Sequence, residues 1–168
     1  MITLADALSR SPGARFVFSH PAHVVAFGFG SGLAPIGPGT AGTLLAFPLH
    51  ALLDHWLTEP QLLLAITLLF SLGVWACGRT GDTLGVSDHG GMNWDEVVAF
   101  MLVLVFTPAG FGWQVFAFCA FRFFDIVKPP PIRRVDRNVK GGFGAMLDDV
   151  LAACYTVLLV AVVARVVG

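Results

Sequence analysis

The sequence predicts an all-α fold, a compact multi-helix membrane protein with about five hydrophobic helices and a glycine-rich, irregular N-terminal segment. Three observations predict it. Of 168 residues, 56% are hydrophobic and 12% charged, against about 25% charged in an average soluble domain, and the mean hydropathy is +0.78. Long uncharged runs recur along the chain at lengths suited to a bilayer. The stretch from Phe27 to Gly42 has too much glycine and proline for a regular helix, yet few charges. Such backbone is tolerated at membrane depth only where protein or a water-filled cavity satisfies its polar groups. The alternative is a soluble, unusually apolar helical protein that hides its excess apolar surface in an oligomer interface.

The length is that of one domain, residues 1–168. Met1 to Leu8 has helical apolar spacing and reads as a short amphipathic or surface piece. The region up to about His20 carries Asp6, Arg10 and Arg15 without a long apolar core, unlike a cleaved signal peptide. After the glycine-rich segment, a first helix is expected from about Thr40 to Leu57, kinked or partly shielded at Pro48 and His50. Gln61 to Cys77 is uncharged and is the strongest single span. Glu96 to Ala120 contains another long uncharged run, broken at Thr107–Gly112 into two shorter helices joined by a tight turn. The last helix is expected from Asp148 or Asp149 to about Val167. Cys77, Cys119 and Cys154 each sit in an apolar run, without disulfide or zinc spacing, and read as small buried hydrophobes.

Charge bias orients these helices. With a cytoplasmic N-terminus and five alternating helices, nine of the ten basic residues lie on or near the cytoplasmic side and only Arg165 lies opposite. Asp82, Asp88, Asp95, Glu96, Asp125, Asp136, Asp148 and Asp149 fall on that same side, leaving Asp54 and Glu59 outside. A net charge of −1 argues against nucleic acid as a partner, since that needs a basic stripe to replace counterions.

Three polar stretches thus converge at one membrane face: DHGGMNWDE (Asp88–Glu96), FRFFDIVKPPPIRRVDRN (Phe121–Asn138) and KGGFGAMLDD (Lys140–Asp149). Asp95-Glu96 and Asp148-Asp149 are adjacent acidic pairs at the mouths of two apolar helices. Carboxylates there are costly unless paired or bound to a cation, and hard oxygen ligands at this density suit Mg²⁺. Capping of the helix N-termini is the competing reading for each pair. Neighbouring helical residues point about 100° apart, so one member of each pair faces a given ion; the sequence does not choose which. Lys128 and Arg137, interleaved with the acidic groups, suit phosphate oxygens. Arg133 and Arg134 fit topology or anionic headgroups better, and Pro129–Pro131 stiffens the loop between Lys128 and Arg137. Thr40 and Thr43, in Pro-Gly-Thr-Ala-Gly-Thr (Pro38–Thr43), would open a helix whose N–H groups and hydroxyls face an anion; close glycine packing explains the same residues. His89 could be a base or a ligand, although a lone loop histidine is more often neither.

At these residues the chain resembles the phosphatidylglycerophosphatase A family. The resemblance covers nearly everything from Gly28 onward, through GFGSGLAPIGPGTAGTL (Gly28–Leu44) and the three polar stretches, with FRFFD-x-x-KP followed by GG-x-G-x-M-x-DD the most specific part. Asn93-Trp94 and Pro130 depart from the family's usual residues. The resemblance implies an all-helical, Mg²⁺-dependent phosphatase of the bacterial inner (cytoplasmic) membrane. Its substrate would be phosphatidylglycerophosphate, its product phosphatidylglycerol, and its site would face the cytoplasm. The family's polar residues map to Asp88, Asp95, Glu96, Asp125, Lys128, Asp136, Arg137, Asp148 and Asp149. The resulting expectation gives metal binding to a subset of Glu96, Asp125, Asp148 and Asp149. Catalytic roles fall to Asp88, Asp95 and Asp136, and phosphate contacts to Thr40, Thr43, Lys128 and Arg137. Attack by water competes with an aspartyl-phosphate route. A lipid phosphotransferase and a non-enzymatic membrane scaffold are the alternatives from other classes, and a homo-oligomer is left open.

Overall fold

The computed structural model describes residues 12–167, and Met1 to Leu8 therefore lies outside the described residues. Eight α-helices and one 3₁₀ segment make up the described chain, with no strand among its residues. Two short helices, α1 (Ala14–Val17) and α2 (Pro21–Ala26), precede the 3₁₀ segment at Gly28–Leu33. The imidazole of His20 caps α2 by accepting the Ala22 N–H. Gly28, Phe29 and Gly30 all take positive φ, which makes the glycine-rich segment irregular, as expected.

α3 (Pro38–Trp56) starts at a proline, after Gly37 in the left-handed region, and runs unbroken through Pro48. α4 (Glu59–Leu84) begins where Gln61 accepts the Thr58 N–H and stops at Gly85, again left-handed. The interrupted run gives α5 (Trp94–Val105) and α6 (Phe111–Val127), separated by the turn read from Thr107–Gly112. α7 (Ile132–Asn138) forms inside the stretch expected to be a stiff loop. α8 (Gly141–Val167) begins seven residues before Asp148. Helix propensity argues against so glycine-rich a start, but close packing overrides it. A β-carbon on Gly142 would collide with the Val74 backbone, and one on Gly144 with that of Val139.

α5 is the central helix, packed against α3, α4 and α8, with Val97, Phe100, Met101 and Val103 fully enclosed. α8 is the other hub, touching α4, α5, α6 and α7. Gly142 of α8 faces Val74, whereas Met146 faces Gly73, so α8 runs antiparallel to α4. The Trp94 indole donates to the Leu69 carbonyl at 3.2 Å, which brings the start of α5 level with the middle of α4.

Among the described residues, two helices, α4 and α8, are long and apolar enough to cross a membrane. α5 has 12 residues and α6 has 17, or about 18 and 25 Å of helix against about 30 Å of hydrocarbon. Large apolar side chains such as Leu64, Leu68, Leu158 and Val162 point outward from the two long helices. The cysteines depart from expectation. Cys77 is buried, but Cys119 and Cys154 lie on the exposed face of their helices, because an apolar run on an exposed surface looks the same in sequence as a buried one.

Candidate active site

The glycine-rich segment is tied to the mouth of α5 by Asn93. Its buried amide donates to the Ser31 hydroxyl (2.9 Å) and to the Pro38 carbonyl (2.7 Å), while its backbone N–H donates to the Ala26 carbonyl. This draws the first turn of α3 onto the first turn of α5. Gly39 consequently lies against the Glu96 carboxylate and Arg122, where a β-carbon would strike Glu96.

Beneath that turn is an inner group of acids. Asp95, Asp125 and Asp149 are buried and Glu96 nearly so. Asp95, Glu96 and Asp149 each offer one oxygen within 4.8 Å of the others. Arg122 of α6 pairs through Nη1 with Asp125 at 2.5 Å and with Glu96 at 3.4 Å. Two buried oxygens, Glu96 Oε2 and Asp149 Oδ2, have no donor among the described residues. Leaving such acceptors unmet is costly, and closely grouped carboxylate oxygens are the ligands that a hard cation such as Mg²⁺ takes. The all-oxygen donor set and its two unmet oxygens therefore suit a hard cation.

An outer group sits beside it. Lys128 caps α6 in the left-handed conformation (φ 48°) and sends Nζ to Asp148 (2.5 Å) and Asp136 (2.9 Å). Burial alone would lower the pKa of this lysine, but its bonds to Asp148 and Asp136 hold it above the ordinary value. Asp88 shares a small cavity of about 40 Å³ with Asp136, Ser87 and Lys140. It keeps solvent contact at the rim, yet protein crowding and then the Asp148 carboxylate push its pKa up to about 6. Lys140 donates to the Asp136 backbone carbonyl at 2.8 Å and so closes the last turn of α7.

The three polar stretches thus meet at one end of the bundle. The structure sorts the adjacent pairs differently from each other, however. Asp95 and Glu96 both face the inner group, whereas Asp149 faces inward and Asp148 turns outward to Lys128. Asp149 lies eight residues past Gly141, about 12 Å along α8, too far from the helix start to cap it. Asp95 does accept the N–H of Glu96 at 3.0 Å, so part of its role is local.

Other expected contacts fall elsewhere. Arg137 is exposed in the last turn of α7 and makes no hydrogen bond or ion pair among the described residues. Thr40 is half-buried in the first turn of α3, and the Thr43 hydroxyl is fully buried and donates to the Gly39 carbonyl. Arg133 donates to the Val127 carbonyl, closing the end of α6. His89 accepts the Gly91 N–H within its own turn, and burial lowers its pKa. Two residues of the site had no role in the sequence reading: Arg122, hidden among phenylalanines three positions before Asp125, and Asn93. The i, i+3 spacing of Arg122 and Asp125 was the available signal for the first.

Comparison with known proteins identifies the family. The family model described as Phosphatidylglycerophosphatase A matches residues 24–164. A Haemophilus influenzae protein named phosphatidylglycerophosphatase A is 45% identical over 84% of this chain and 87% of its own length. An Escherichia coli protein of the same name is 42% identical, over 82% of this chain and 80% of its own. A Bacteroides thetaiotaomicron protein, provisionally named a phosphatidylinositol-3-phosphatase, is 40% identical over 86% of this chain and 94% of its own. No solved structure matches. The glycine-rich segment, the buried acids and the lysine-bearing loop all lie inside the matched region, and the chain belongs to the phosphatidylglycerophosphatase A family.

Proposed function

We propose that this chain is a Mg²⁺-dependent phosphatidylglycerophosphatase of the bacterial inner membrane, with several membrane passes and its site facing the cytoplasm. The observation that carries the reading is the buried group of Asp95, Glu96 and Asp149, with two oxygens that no donor among the described residues meets. Family membership supplies the reaction and the headgroup. Apolar helices α4 and α8 support the membrane placement, and the concentration of basic residues at the polar end supports its orientation.

Asp95, Glu96 and Asp149 would hold the ion, with Asp125 held beside them by Arg122. Bound there, Mg²⁺ supplies Lewis-acid polarisation of the phosphoryl group and a more acidic water. Lys128, anchored by Asp136 and Asp148, donates to the phosphoryl oxygens as charge builds on them. Asp88 takes a proton from the attacking water as the new O–P bond forms and the bond to the lipid oxygen breaks. That proton returns to the departing alkoxide, leaving phosphatidylglycerol and inorganic phosphate. Asp136 holds the lysine rather than moving a proton.

The test is phosphate release by purified protein from phosphatidylglycerophosphate and from phosphatidylinositol 3-phosphate, side by side. Release from the first alone supports the reading; release from the second alone assigns the headgroup of the Bacteroides relative instead. Phosphate transferred to an added alcohol, with none released, would make the protein a phosphotransferase. No turnover of any lipid phosphate would leave it a scaffold.

A further inference from the structure

Between α4, α5 and α8 lies an apolar cavity of about 280 Å³ that the chemistry above does not use. Its walls are Leu63, Ile66 and Phe70 of α4, Val98 and Leu102 of α5, and Val150 of α8. The one hydroxyl on its rim, that of Thr67, is already donated to the Leu63 carbonyl at 2.8 Å. The cavity therefore offers nothing to a polar ligand.

Its position is what makes it informative. Asp95, Val98 and Leu102 are spaced i, i+3 and i+7, so one stripe of α5 runs from the carboxylate group into the cavity. On α8, Val150 directly follows Asp149. On α4, Phe70 follows Leu69, the residue bonded to Trp94 at the start of α5. The cavity thus begins level with the carboxylates. From Phe70 to Leu63 it continues for about 10 Å along α4, away from the polar end. It opens at exposed Thr67, beside Leu64 and Leu68, which face outward from a helix long and apolar enough to cross a membrane.

Resting on the phosphatase reading, we infer that this cavity is the acyl-chain subsite of the same site. It holds one fatty-acyl tail of the substrate lipid while the phosphate lies at the carboxylates. An apolar trough that begins one helical turn from a buried acidic group, and opens beside a helix long and apolar enough to cross a membrane, is complementary to an amphiphile with an anionic head and an alkyl tail. Its depth would set the lipid's height against the metal site, so tail binding contributes to positioning of the phosphoryl group.

The experiment compares phosphate release from long-chain and dihexanoyl phosphatidylglycerophosphate in detergent micelles. It uses wild type, Thr67→Trp, which places an indole at the opening, and Leu64→Trp, a control on the outward face. The inference predicts that Thr67→Trp lowers kcat/KM for the long-chain lipid at least roughly tenfold, the scale of losing one methylene from an apolar pocket. The dihexanoyl lipid and both activities of Leu64→Trp should change by less than about twofold, well under that same scale. Equal loss on both lipids, or no loss on either, would overturn it. A detergent-stable dimer dissociated by Thr67→Trp would give the cavity to a second copy and also overturn it. Wild type inactive on both lipids would instead remove the phosphatase reading on which it rests.

Discussion

Asp149 shows how much turns on a single side chain. It is buried 12 Å or so along α8, one of its oxygens is unmet, and its charged neighbours include Asp125, Glu96 and Asp148. Asp149→Asn keeps the shape but removes the anion. It should cut phosphate release by at least about 100-fold and abolish Mg²⁺ binding in calorimetry. Full Mg²⁺ binding by this variant would move the ion elsewhere. Asp88 makes a different prediction. A carboxylate accepts a proton only when ionised, and its raised pKa, about 6, shifts the lower limit of activity upward from the usual carboxylate range. The rate should therefore fall as pH drops through about 6, and Asp88→Asn should be slow and lose that limb. An unchanged acid limb in the variant would remove Asp88 from proton transfer. At this scale the sequence was only half legible. It marked both acidic pairs, but which member faces inward depends on the rotation of α8, and glycine packing against Val74 and Val139 decides that rotation.

Helix ends, rather than helix middles, assemble the site. The first turn of α3 rests on the first turn of α5 because Asn93 bonds across to Pro38 and Ser31, and Gly39 leaves room for Glu96. Gly39→Ala should lower kcat about 10- to 100-fold through displacement of Glu96, with the melting temperature nearly unchanged. Melting and activity falling together would make Gly39 a packing residue only. Gly142→Ala should behave in the opposite way. Its β-carbon meets the Val74 backbone, which cannot step aside, so the variant should lose about 1–3 kcal/mol of stability, read as an earlier melt in detergent. The broken run at Thr107–Gly112 and the irregular glycine-rich segment were both legible, since proline and glycine act locally. The true start of α8 was not, because a contact with a distant helix outweighs the poor helix propensity of three glycines.

Across the whole molecule, three stretches far apart in sequence arrive at one end of a helical bundle, as the charge bias and the recurring polar motifs led one to expect. The bias of Lys and Arg could sort loops to a side, but it could not divide the acids into an inner group around Arg122 and an outer one around Lys128. That division depends on side-chain pairing between helices, and Arg122 is masked in sequence by its phenylalanine neighbours. The same end-to-end polarity makes the central claim testable in one measurement. Purified protein is given phosphatidylglycerophosphate in micelles, with Mg²⁺ or with excess chelator, and inorganic phosphate is followed over time. The account predicts steady release with Mg²⁺, loss in chelator and full recovery when Mg²⁺ is restored. Undiminished release in chelator would contradict it, because the unmet oxygens of Glu96 and Asp149 would then have no part in the reaction.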